Sequence, residues 1–219
     1  MRTIAFVGVL GTLGLAIALI FSGAIQNGLE GEGSHQTFHS STVEKSDWQK
    51  LGSTYRIAYG DQQAPVHMTE YFSFQCPHCI ALFRSDFERI KRELIDTGNI
   101  YFEFHPVPQD LPTAQAMICF ESLSEKEKRL FLEVVFEEAT PTDPDFMTAL
   151  MKAAMNVFEK PTPYLDDTDF LKNHPVFEEI FRFIKQEAIL AVPTVEVNGR
   201  LYMAEIPDYG FIHSFVEAS

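Results

Sequence analysis

Two cysteines separated by two residues, Cys76-Pro77-His78-Cys79, are the strongest chemical signal in the chain. They stand where one hydrophobic pattern gives way to another. Val66, Met68, Phe72 and Phe74 alternate with His67, Thr69, Tyr71 and Ser73, a period of two that predicts a strand. From Ile80 onward Leu82, Phe83, Phe87, Ile90 and Leu94 follow a helical period, so Cys76 falls at the helix N-cap and Pro77 at the first helical position. The first-turn N–H groups of a helix are unpaired and carry partial positive charge. A sulfur placed against them favours the thiolate, which makes it a better nucleophile at neutral pH and a better leaving group. His78 adds a donor or a cation within reach of the same sulfur. Cys79, one turn on, is placed to close a disulfide with Cys76.

Other uses of a C-x-x-C pair fit less well. A structural zinc site needs four ligands, and the chain has only one further cysteine, Cys119. Covalent haem attachment requires histidine after the second cysteine, and residue 80 is Ile. A purely structural disulfide remains open, although so short a loop is an unusual staple. A redox-active dithiol is the preferred reading, with no cofactor and no metal expected. Cys119, between Ile118 and Phe120, reads as a buried, inert side chain, with a regulatory thiol as the minor alternative.

Strand alternation places Glu70 on the same face as Met68 and Phe72. A carboxyl buried there has a raised pKa, whereas a strand-end glutamate reaching solvent does not. The predicted elements around this centre run as follows. A short edge strand covers 55–59, the central strand 66–74, the cysteine-bearing helix 76 or 77 to 97, and a parallel strand 100–105 follows it by a crossover. Helical patterns then run without an intervening strand: 113–121, a helix opened by the capping box Ser124–Glu127, one from Asp143-Pro144 to 158, a short one over 163–172, and 175–188. Strand 192–197, the Asn198-Gly199 hairpin turn, a return strand over 201–204 and a last helix from Pro207 or Asp208 complete the chain.

Acidic residues number 31 against 17 basic, which argues against nucleic acid as a partner. Thr3 to Ile25 carries no charge and would span about 34 Å as a helix, enough to cross a bilayer. It reads either as an uncleaved signal anchor or as a signal peptide cut near Ser22-Gly23-Ala24. Arg2 before it and Glu30 after it export the body in both cases, to a compartment where disulfides persist. Residues 26–47 form a polar tether whose His35 and His39 read as solvated.

The runs Phe-Ser-Phe-Gln-Cys-Pro-His-Cys at 72–79 and Val192-Pro193 followed by Val197-Asn198-Gly199 resemble the DsbA family of thioredoxin-fold oxidoreductases, over roughly residues 48–219. The resemblance implies an α/β thioredoxin fold with an inserted all-helical domain, the first formed by 48–111 and 173–219, the second by 112–172. It implies that Cys76 is the nucleophile, Cys79 the buried resolving cysteine, and Pro193 a cis-proline that turns the Val192 backbone toward substrate. It also implies that Glu70 exchanges protons with Cys79. The expected activity is extracytoplasmic disulfide formation in exported proteins, by a monomer that a membrane redox partner of the DsbB kind reoxidises. A reductase or isomerase using the same site, and a membrane-tethered dithiol that holds a metal, are the alternatives. An isomerase of this fold usually carries a dimerisation domain, for which 26–47 is too short and polar.

Overall fold

The computed structural model describes residues 54–186, 189–203 and 207–219. The predicted apolar segment, the tether and the possible cleavage site lie outside these residues. Among the described residues no helix is long and apolar enough to cross a membrane.

Five strands form one mixed sheet in the order β1-β3-β2-β4-β5: β1 Ile57–Tyr59, β2 Val66–Phe72, β3 Ile100–Pro106, β4 Thr194–Val197 and β5 Arg200–Met203. The helix between β2 and β3 allows these two central strands to run parallel, in register from Val66↔Ile100 to Phe72↔Pro106. β1 pairs antiparallel with β3, β4 with β2, and β5 with β4. Asn198 (φ 47°) and Gly199 (φ 83°) both take positive φ and make the tight turn that joins β4 to β5.

α1 carries the cysteines, and it is less regular than the apolar spacing predicts. It starts as Pro77–Leu82, widens into a π-helical turn at Phe83–Phe87, continues as Glu88–Ile90 and widens again at Lys91–Ile95. Each widened turn lets consecutive buried residues share one face: Leu82 with Phe83, and Leu94 with Ile95, are all buried. Gly98 at φ 80° ends the run. Nearby, Gly60 approaches the sheet so closely that a Cβ there would stand 2.7 Å from the Ile100 carbonyl oxygen.

Between β3 and β4 the chain is helical. α2 spans Leu111–Phe120, α3 Glu125–Glu138 and α4 Pro144–Val157. Ser124 and Glu127 form the predicted capping box on α3. The single short helix expected over 163–172 is instead a 3₁₀ turn, Pro163–Asp166, then α5, Thr168–Asn173. Asp167 caps α5 by accepting from the Asp169 and Phe170 N–H groups, and so restarts the chain. α6, Pro175–Gln186, leads back to the sheet, and α7, Tyr209–Glu217, is capped by Asp208.

Sheet and inserted helices share one core. Phe72 at the end of β2 and Phe74 just beyond it meet Phe136 of α3 at ring centroid distances of 5.3 and 5.0 Å. Phe74 also meets Phe120 and Phe131 edge-on. All five rings have no solvent exposure. Burying each is worth about 1.5–3 kcal/mol, with up to about 1.5 more from ring geometry. Arg84 of α1 ties the same elements together from the surface. Its guanidinium donates to the Phe136, Glu137 and Ala139 carbonyls at the end of α3, at 2.7–2.9 Å.

Candidate active site

β2 stops at Phe72, two residues earlier than the alternation predicts, because the next backbone groups are taken by side chains. Phe74 N–H donates to Thr113 Oγ1 at 2.9 Å and Gln75 N–H to Ser73 Oγ at 3.0 Å. The chain turns, Cys76 N–H donates to the Ser73 carbonyl at 3.1 Å, and α1 begins. Cys76 is the N-cap, with extended backbone (φ −80°, ψ 114°) and Pro77 at the first helical position. Its sulfur accepts from the Cys79 N–H at 3.4 Å. Both cysteines are free thiols. Cys76 keeps 7% of its surface exposed and Cys79 none, so an incoming sulfur reaches Cys76 first. Pro77 and His78 are exposed beside it.

The two sulfurs are electrostatically unequal. The Cys76 thiol is lowered to about 6, chiefly by donation from the Cys79 thiol, then by the backbone N–H groups of Cys79 and His78 and by the His78 charge; burial opposes the shift. Amide donation is therefore present, but it is second to the partner thiol. Cys79 is pushed strongly up by burial first, then by its own donation to Cys76 and by the Glu70 carboxylate. Glu70, fully buried on β2, is raised well above the carboxylate range by burial, and its negative form is opposed by a Cys76 thiolate. The Cys79 thiol, as a hydrogen-bonding neighbour, draws it part of the way back, and apart from that sulfur neither carboxyl oxygen has a partner among the described residues.

The Val192–Pro193 peptide is cis. β4 pairs with β2 through Tyr71↔Thr194, so one further step along the register brings Pro193 level with Phe72, four residues before Cys76. Thr194 Oγ1 donates to the Ala191 carbonyl at 2.7 Å and ties the approach to this peptide down. Val192 is half-buried, and Leu190 is 78% exposed just before it.

The sequence reading missed the residues that hold the link between β2 and α1. Ser73 Oγ donates to Asp110 Oδ2, and Asp110 Oδ1 caps α2 by accepting from Thr113 N–H and Oγ1, both at 2.8 Å. The available signal was Asp110 followed by Leu-Pro-Thr, an N-cap with proline in the first turn; α2 accordingly starts two residues before the expected Thr113. Gln75 Nε2 donates to the Pro141 carbonyl at 3.2 Å, which brings the α3–α4 turn to the cysteine loop. Cys119 is fully buried away from this centre, its thiol pushed up to about 12 by burial, which makes it unreactive in the folded protein. A cleft of about 780 Å³ lies between β1, β3 and the α2–α3 region and is lined by residues such as Arg56, Glu103 and Lys128; none of the dithiol residues borders it. Among the described residues, no group of three or more His, Cys, Asp or Glu is placed to hold a metal ion.

Comparison with known proteins bears on the family and the fold. A thioredoxin family model matches residues 53–214. Disulfide bond formation protein D of Bacillus subtilis is 26% identical over 168 residues, which cover 72% of this chain and 74% of that protein. A Rickettsia typhi protein assigned as a protein-disulfide oxidoreductase is 28% identical over 103 residues, covering 42% of this chain but only 38% of its own length. Among solved structures, oxidised BdbD of Bacillus subtilis superposes with a TM-score of 0.57 at 22% identity, covering 74% of this chain and 91% of that one, a likeness of fold.

Proposed function

The chain belongs to the thioredoxin family, and we propose that its dithiol makes it a DsbA-like protein thiol:disulfide oxidoreductase that introduces disulfide bonds into exported proteins. The observation that carries this reading is the inequality of the pair: Cys76 at the helix N-cap keeps 7% of its surface exposed and its thiol is lowered to about 6, whereas Cys79 is wholly buried and its thiol is pushed strongly up.

In the oxidised enzyme a substrate thiolate attacks Cys76 Sγ. The Cys76–Cys79 bond breaks, its electron pair leaves with the Cys79 sulfur, and that sulfur takes up a proton. A second substrate thiolate then attacks the substrate sulfur of the mixed disulfide, and Cys76 leaves as a thiolate. Two electrons pass to the enzyme and the substrate gains a disulfide. Stabilising the Cys76 anion favours the reduced enzyme, which makes the oxidised form a strong oxidant. Glu70, whose carboxyl burial raises well above the carboxylate range, is the group that passes Cys79 its proton and takes one back on reoxidation. The Val192 backbone before Pro193 offers an extended strand edge to a substrate segment. The body works outside the cytoplasm, anchored by residues 3–25 or released when they are cleaved, on exported proteins that carry free thiols. A membrane redox partner accepts the electrons.

Equilibration of the purified protein with glutathione buffers tests the direction. A potential above roughly −200 mV supports the oxidant; one near about −270 mV makes the protein a reductase.

A further inference from the structure

The chemistry above uses the sulfurs, Glu70 and the Val192–Pro193 segment, but not the polar cluster behind them. Ser73 is 3% exposed and Thr113 not at all. Ser73 Oγ donates to Asp110 and accepts from Gln75 N–H; Thr113 Oγ1 donates to Asp110 and accepts from Phe74 N–H. Two of the three residues that join β2 to Cys76 thus have their backbone donors satisfied by hydroxyls that converge on one carboxylate. The third, Ser73, receives the Cys76 N–H on its carbonyl, and its own backbone hydrogen-bonds the Cys79 sulfur and favours that anion. Among the described residues, Asp110 bonds to this link and to its own helix. Among the largest influences on the Cys76 and Cys79 sulfurs, the ionisable side chains beyond the two cysteines themselves are His78 from α1 and Glu70 from β2. The link from Asp110 to the sulfurs that the hydrogen bonds show is one of position.

We propose that Asp110 is a positioning residue for the dithiol. Through Ser73 and Thr113 it fixes the backbone that delivers Cys76 to the start of α1, and so the N-cap of the first inserted helix sets how readily Cys76 ionises. Without the carboxylate, the Ser73 hydroxyl and the Phe74–Gln75 backbone lose a common anchor. The N-cap geometry loosens, and the Cys79 N–H and thiol no longer bear on Cys76 along a single line. A part-buried network of this kind acts as a unit, so removing either end has much the same effect as removing both.

The inference rests on the dithiol reading, and the test separates the two. The thiolate absorbance of the reduced full-length protein is titrated for wild type, Asp110→Asn, Ser73→Ala, the double variant, Thr113→Ser and Asp208→Asn. Asp110→Asn and Ser73→Ala each lower the Cys76 ionisation constant by about threefold or more, and the double variant lowers it no further. Thr113→Ser, which keeps the hydroxyl, titrates as wild type. Asp208→Asn removes a cap of the same kind from α7 and lowers the melting temperature without moving the titration. If Asp110→Asn loses stability yet titrates as wild type, or if Asp208→Asn shifts Cys76 equally, the proposal is overturned. Should Asp110→Asn fail to fold, Ser73→Ala decides alone, by a shifted or an unshifted midpoint. A wild-type protein that does not exchange with glutathione would instead sink the dithiol reading.

Discussion

Replacing Cys79 with alanine isolates the largest influence on Cys76. In the reduced protein the Cys79 thiol donates to the Cys76 sulfur, and this contact heads the causes that lower Cys76 to about 6. A hydrogen bond to an ionised group contributes about 1.5–3 kcal/mol. At 1.36 kcal/mol per pKa unit, its loss moves the midpoint up by about one to two units, to roughly 7–8. The Cys79 and His78 N–H groups and the His78 charge remain, so the value stays below that of an ordinary cysteine. At pH 7 the thiolate fraction falls from about nine-tenths to between about a half and a tenth. The rate of alkylation of Cys79→Ala by iodoacetamide, followed across pH, reads this directly, since buried Cys119 does not compete in the native protein. A midpoint that stays near 6 refutes the reasoning, because the amides alone would then hold the anion. A midpoint near 8.5 refutes it in the other direction, by leaving the helix start with no effect.

Burial raises the Glu70 carboxyl in the folded protein well above its unfolded value of about 4.5, so it penalises folding increasingly as pH rises past that value. Glu70→Gln is therefore expected to raise the urea midpoint at pH 7, with the gain gone by pH 4, and to slow exchange at Cys79 by about tenfold or more; equal midpoints for variant and wild type at pH 7 would show the carboxyl to be solvated. Arg84→Ala leaves three carbonyls at the end of α3 without their donor and should cost about 1–3 kcal/mol in urea unfolding, of which Arg84→Lys recovers less than half; a loss below about 0.5 kcal/mol would make the contact incidental.

Much of this centre was legible in the sequence because its signals are local. Period-two alternation placed Glu70 on the buried face of β2, Pro77 marked the helix start, Asn198-Gly199 marked the hairpin, and the Ser124–Glu127 pair capped α3 as read. What stayed hidden depends on partners distant in sequence. The early end of β2 follows from Thr113 claiming the Phe74 N–H across 39 positions, which no pattern within 66–74 records. The widened turns of α1 arise from fitting adjacent apolar side chains against the sheet, and a 3.6-residue period has no symbol for an extra residue. The rank of forces on Cys76 was misjudged for a similar reason: the amides were visible as a helix start, but the direction of the Cys79 thiol was not.

The phenyl rings shared by sheet and insertion bear on how this protein is made. Phe72 and Phe74 enter the chain well before Phe120, Phe131 and Phe136, the rings that cover them. A nascent chain that has emerged only as far as β3 holds both cysteines already synthesised but lacks the apolar wall behind them. Such an intermediate exposes a sticky aromatic seam next to two thiols that have not yet acquired their division of labour. Translation must run past residue 136 before the wall behind the cysteines exists, and on to β4 before the sheet and the Val192–Pro193 peptide complete the site.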